Sequence, residues 1–69
     1  MLEVIRTDYV DHKNAVYIRI SKNQENKLWE YIVYLGGLSK KRAVGYKTKE
    51  DALSEAWLFV NSYKEDLAH

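Results

Sequence analysis

Positively charged side chains are concentrated in the middle of this 69-residue chain. Residues 13–49 carry a formal charge of +7, whereas residues 1–12 and 50–69 carry −2 and −4, which together give the net charge of +1. Lys and Arg gathered on one surface are what a protein needs to contact phosphate groups. On a surface that binds DNA, Arg19 is the main candidate for hydrogen bonds to the edge of a base, with guanine as its expected partner. The expected phosphate contacts are the other basic residues of this region: Lys22, Lys27, Lys40, Lys41, Arg42 and Lys47.

Structural explanations of the same charge pattern stay open. Lysines on strand edges and turns keep sheets from pairing with one another, and acidic residues in the first turn of a helix interact favourably with its dipole. Arg19 has a second interpretation as the cross-strand partner of Glu30, a kind of surface pair that contributes little to stability.

Aromatic and aliphatic residues interleave with these charges and allow three interpretations. Tyr17 and Tyr34 are suited to stacking the bases of a single strand. Together with Leu28 and Ile32 they are equally suited to an apolar patch that binds a protein, or to ordinary cross-strand pairs on a wet sheet face. On the predicted helix, Trp57 and Leu58 indicate a second candidate surface for a protein partner or for dimerisation.

No constellation typical of catalysis or metal binding is present in the sequence. The chain has no Cys, and neither His12 nor His69 has a companion at the spacing of metal ligands or of a catalytic triad. A domain of this size buries only about 60% of the surface of its unfolded chain, so a large enclosed active site is not expected. We expect a non-enzymatic protein without a metal, cofactor or small-molecule substrate. Without a membrane-length apolar run or a signal-like start, we also expect an intracellular location.

Four strands followed by one helix must position these residues. Alternation with a period of two and an enrichment in β-branched and aromatic residues predict strands over about 2–10, 15–21, 28–35 and 41–46. An apolar repeat at 3.6-residue spacing predicts a helix over about 49–66, which Thr48 and Asp51 begin with a variant of the capping box. The expected fold is a single α+β domain over residues 1–69. Its antiparallel three- to four-stranded sheet has the C-terminal helix packed on one face.

The helix covers one face of the sheet and leaves the other open. Because an unpaired buried carboxylate is costly, Glu30 should point away from the helix, and the alternation of the strands then assigns the other side chains. The predicted core side comprises Val16, Ile18, Ile20, Trp29, Tyr31, Val33, Leu35, Val44 and Tyr46. The predicted open side comprises Tyr17, Arg19, Leu28, Glu30, Ile32, Tyr34, Lys41 and Ala43.

The central segment carries a recognisable series of short motifs. These are a Trp29-x-Tyr31 strand, the Gly36-Gly37 turn, a basic run over residues 40–42, and Gly-aromatic-x-Thr-x-x-x-Ala over residues 45–52. Residues 15–62 thereby resemble the amino-terminal arm-type DNA-binding domain of tyrosine recombinases, which is related in fold to the plant Apetala-type domain.

That resemblance implies a three-stranded sheet packed on a helix, with the open face inserted into the major groove of DNA. Carried over by position, the groove-facing residues are Tyr17, Arg19, Glu30, Ile32 and Tyr34, and the basic loop of the family corresponds to Lys40, Lys41 and Arg42. Structural positions of the family correspond to Gly45, Tyr46, Thr48 and Ala52. We therefore expect double-stranded DNA binding in a phage or mobile-element context, in the cytoplasm of a bacterial or phage-infected cell. The alternative is a small phage-type protein-binding module that inhibits a host enzyme.

Overall fold

The computed structural model describes residues 6–67, and it describes side chains as far as residue 64. Four strands, β1 (Arg6–Asp11), β2 (Val16–Lys22), β3 (Trp29–Leu35) and β4 (Leu38–Tyr46), are followed by one helix, α1 (Lys49–Leu67). The predicted α+β fold is confirmed, although the part of the first strand predicted over residues 2–5 lies outside the described residues. Within residues 6–67, no helix has the length and apolar composition needed to cross a membrane.

The strands form a single antiparallel meander in the order β1-β2-β3-β4. Gly36 and Gly37 make the two-residue turn between β3 and β4, and their φ angles are +59° and +84°. Positive φ at both central positions is the requirement of a type I′ hairpin turn, and glycine meets it without steric cost. In the β1–β2 turn, the Asp11 carboxylate accepts hydrogen bonds from the backbone and the side chain of Asn14 at 3.3 and 2.8 Å.

The core lies between α1 and one face of the sheet. Ala52, Ala56 and Val60 recur at every fourth residue, are fully buried, and form the stripe that α1 presents to the sheet. The small alanines allow the helix backbone to lie close to the strands. On the sheet the fully buried side chains come from β2 and β3: Val16, Ile18, Ile20, Tyr31 and Val33. Trp29 and Leu35 are half-buried and pack against this cluster, so the predicted facing of β2 and β3 is confirmed.

Thr48 caps the start of α1, as the sequence predicts. Its Oγ1 accepts a hydrogen bond from the backbone N–H of Asp51 at 3.1 Å, an interaction of the kind that stabilises a helix by about 1 kcal/mol. Along α1, Trp57 packs at the edge of the core, whereas Leu58 is 58% exposed. The helix crosses β2, β3 and β4 but not β1.

The predicted facing of β4 is wrong for three residues. Val44 pairs with Glu30 on the open side and is 63% exposed, whereas Ala43 pairs with Tyr31 and packs against the core. The pairing shifts by one residue at Gly45, whose φ of +95° is that of a bulge glycine. This extra residue leaves Tyr46 on the core side. It exchanges the sides of the sheet that the preceding residues of β4 face. Lys41 accordingly lies opposite Val33 on the helix side and not on the open side.

Candidate nucleic-acid interface

The face of the sheet opposite α1 consists of three rows of side chains that run across all four strands. We call these twelve residues the open face. The first row is Val10, Tyr17, Tyr34 and Ser39; the middle row is Asp8, Arg19, Ile32 and Arg42; the third row is Arg6, Ser21, Glu30 and Val44. Because directly opposed residues on antiparallel strands point to the same side, the register fixes these rows.

The open face brings together six of the eleven residues predicted to bind DNA. They are Tyr17, Arg19, Glu30, Ile32, Tyr34 and Arg42. The other five are lysines outside this face. Lys22 and Lys41 lie opposite Trp29 and Val33 on the helix side, and Lys40 is the extra residue at a second register shift.

The basic segment 40–42 is therefore part of the edge strand β4 and not the loop that the resemblance implies. The structure also corrects the position of Leu28, which is a half-buried residue of the β2–β3 loop and not part of the open face. In this loop the Asn23 side chain accepts a hydrogen bond from the backbone N–H of Glu25 at 2.8 Å. The backbone N–H of Lys27 donates to the Asn23 carbonyl at 2.8 Å.

Three exposed lysines lie around the open face on two sides, and we call them the rim lysines: Lys27, Lys40 and Lys47. Lys27 lies in the β2–β3 loop, and Lys47 directly follows the last residue of β4. Because Trp29 pairs with Tyr46, these two lysines lie at the same end of the sheet. Lys40, the extra residue at the second register shift, lies on the edge strand β4.

Tyr17 and Tyr34 form an edge-to-face pair, with ring centroids 5.6 Å apart and an angle of 76° between the planes. The guanidinium of Arg19 lies over the Tyr17 ring, 5.9 Å from its centroid. These three side chains and Gly37 line a shallow depression of about 380 Å³ on the open face. Since the two rings are nearly perpendicular, they do not form a flat platform on which consecutive bases of a single strand could stack.

Arg19 has a restricted environment near the centre of the open face. Its Nε is buried and has no hydrogen-bond partner among the described residues. Asp8 and Ile32 lie directly opposite Arg19 on the two neighbouring strands. A guanidinium between a ring, an aliphatic side chain and a carboxylate has less rotational freedom than one on an open surface. Less conformational entropy is then lost when it binds a planar acceptor.

Asp8 and Arg6 are functional candidates that the sequence reasoning missed. Arg6 donates from Nε and Nη2 to the Asp8 carboxylate, with both distances at 3.3 Å. The Tyr17 hydroxyl and the Arg6 guanidinium hold the pKa of Asp8 below its usual range, so Asp8 is ionised at neutral pH. The sequence of residues 6–11 has no alternation of polar and apolar types that would orient the strand, and only the register with β2 assigns these side chains to the open face.

Glu30 is held by Arg42 and Ser21, which replaces the alternative pairing with Arg19. Its Oε2 lies 3.6 Å from Nη2 of Arg42, and its Oε1 accepts a hydrogen bond from the Ser21 hydroxyl at 3.3 Å. The open face thus carries three arginines and two carboxylates. Each carboxylate has an arginine beside it, and the face as a whole has a small positive excess.

Together the fold and this face define a small α+β domain whose sheet has one uncovered, arginine-bearing side. Across the side chains that the structure describes, no three His, Asp or Glu residues are gathered closely enough to hold a metal ion. No family model, curated protein or solved structure matches the chain.

Proposed function

We propose that this chain binds double-stranded DNA through its open face, in the context of phage or mobile-element recombination. The observation that carries the proposal is that Arg6, Arg19 and Arg42, from three different strands, lie on one face that α1 leaves uncovered. Arginine is the side chain most suited to bidentate contact with phosphate and with the major-groove edge of guanine. The resemblance of residues 15–62 to a recombinase domain supports the same function and supplies the biological context.

The dimensions of the open face suit the major groove. Its rows are two residues apart along β1, β2 and β3, so that three rows span about 13 Å at about 3.3 Å per residue. The major groove is about 12 Å wide and accepts a β-ribbon or a sheet face. With the middle row over the base edges, the outer rows approach the walls of the groove.

The rim lysines supply the complementary phosphate contacts. Lys27 and Lys47 lie beyond the third row, where a DNA backbone would pass, and Lys40 lies on the edge strand β4. If about five basic residues contact phosphates, log K falls with log salt at a slope of about −4 to −5. The exposed acidic residues of α1, Glu50, Asp51 and Glu55, lie on the other side of the domain, so they do not oppose this approach.

Fluorescence anisotropy with a labelled duplex tests the proposal over about 50 to 200 mM salt, the range in which phosphate contacts dominate the change in affinity. We expect binding that weakens steeply with salt, and a further loss when Arg19→Ala removes the central guanidinium. Lys64→Ala is the matched control, because Lys64 is an exposed lysine of α1 outside the open face. If no duplex binds at the lowest salt concentration, the proposal fails.

Exposed apolar side chains favour one second candidate, a protein-binding module. Val10 and Val44 are 51% and 63% exposed at the two margins of the open face, and Ile32 lies between them. A chain that binds no duplex, yet retains one host protein after nuclease treatment and loses it on Ile32→Ala, would support this candidate instead.

A further inference from the structure

The middle row of the open face has a layout that suits base recognition. Ile32 lies directly between Arg19 on β2 and Arg42 on β4. Each arginine has a carboxylate beside it, since Asp8 is opposite Arg19 and Glu30 lies 3.6 Å from Arg42. The open face therefore has an arginine with a neighbouring carboxylate on either side of Ile32, with Asp8 in the middle row and Glu30 in the third row.

The spacing of this row can be compared with that of stacked base pairs. Adjacent strands are about 4.8 Å apart, so the backbones of Arg19 and Arg42 are about 10 Å apart. Base pairs rise by about 3.4 Å, and this separation corresponds to about three steps along the groove. The alternative orientation, with the row directed across the groove, would bring both arginines close to the phosphate walls and away from the bases.

The chemistry of each position indicates what it would contact. A guanidinium donates two hydrogen bonds to O6 and N7 of guanine, and a carboxylate accepts one from N4 of cytosine. An arginine–carboxylate pair can therefore satisfy both members of a G·C pair. An aliphatic side chain such as Ile32 is suited to the C5-methyl group of thymine.

We propose that the middle row reads two G·C base pairs about three steps apart, with Arg19 and Arg42 on their guanines and Ile32 against a thymine methyl group between them. This inference rests on the proposed duplex binding and deepens it by naming the class of site that is bound.

Selection from a duplex library with a randomised centre tests this inference directly with the full chain. We expect the enriched sequences to contain two guanines separated by two base pairs, at least one of which includes a thymine. Arg19→Lys and Arg42→Lys keep the charge but remove the planar fork. Each variant should lose about 10- to 100-fold in affinity for the selected duplex and lose the preference at one guanine only.

A uracil substitution tests the contact of Ile32. Replacing the thymine by uracil removes one methyl group and should weaken binding by wild-type protein about fourfold. The same replacement should leave the affinity of Ile32→Ala unchanged. Circular dichroism of each variant establishes that it is folded, and Lys27→Gln serves as the control that weakens all duplexes equally.

The possible outcomes separate this inference from the function on which it rests. Salt-sensitive duplex binding without base preference would overturn the inference and leave DNA binding in place. The inference also fails if Arg19→Lys weakens every duplex to the same extent, because the arginine would then be a phosphate contact. A failure of all duplexes to bind at low salt would overturn the proposed function itself.

Discussion

Neutralising Lys27 and Lys47 gives the most direct measure of how this domain would contact a DNA backbone. Both side chains are exposed at the same end of the sheet, and neither contributes to the core. Each phosphate contact adds about 0.9 to the magnitude of the salt slope. The double variant Lys27→Gln/Lys47→Gln should therefore change a slope of about −4.5 to about −2.7. With equal affinities of the wild type and the variant at 1 M salt, this difference in slope makes the affinity of the variant for DNA roughly 60-fold lower than that of the wild type at about 0.1 M salt.

The assay is an anisotropy titration of one labelled duplex at several salt concentrations, repeated for each variant. Lys64→Gln removes the same charge from α1 and should leave the slope unchanged, whereas a purely global effect of net charge would affect every lysine variant alike. A double variant with the wild-type slope would refute the assignment of these two lysines to the DNA backbone. An equal decrease in the slope with Lys64→Gln would show that location on the surface does not matter, and would refute the reasoning from the open face.

Other expectations concern the fold that supports this face. Val33 is fully buried and Val44 is 63% exposed, so urea denaturation should show a loss of about 2 to 3 kcal/mol for Val33→Ala and less than about 0.5 kcal/mol for Val44→Ala. Equal losses would contradict the shifted register of β4. Gly45 has a φ of +95°, and Gly45→Ala should cost about 1 to 3 kcal/mol with a lowered thermal midpoint; an unchanged midpoint would argue against the bulge. Burial raises the pKa of Tyr31 to about 12, with Tyr46 as a further cause. Because the unfolded chain releases this proton near pH 10, stability should fall by about 2 to 3 kcal/mol between about pH 10 and 12. Tyr31→Phe should remove that part of the alkaline loss in urea titrations at several pH values, and an identical alkaline loss in the variant would contradict it.

The order of elements and the two faces of the central strands could be predicted from local patterns. Alternation in β2 and β3, the cap at Thr48 and the apolar stripe of α1 each depend on residues close together in the chain. The cost of burying Glu30 was enough to orient β3, and pairing then oriented β2. These are strong signals because a wrong facing would place several apolar side chains in water.

The facing of β4 could not be obtained in the same way. Strict alternation from Tyr46 places Val44 in the core, and only a bulge at Gly45 reverses this assignment. A glycine within a strand is compatible with either a regular or a bulged conformation. The choice depends on what the strand packs against. The small side chain of Ala43 fits beside Tyr31 under the helix, and this tertiary contact has no signature in the local sequence.

The charge distribution of the open face differs from what the charge along the chain suggests. The +7 of residues 13–49 does not produce a uniformly basic face, because Lys22 and Lys41 lie on the helix side and other lysines lie at the rim. The open face itself has arginines beside Asp8 and Glu30.

In the proposed complex the two kinds of basic residue, lysines at the rim and arginines on the open face, would therefore contribute differently. The rim lysines would supply salt-dependent, sequence-independent attraction, whereas the carboxylate-flanked arginines would contribute little net charge but discriminate between bases. Acidic residues on the binding face are thus compatible with DNA binding. A carboxylate beside an arginine repels a phosphate group, whereas it accepts a hydrogen bond from the cytosine of a G·C pair.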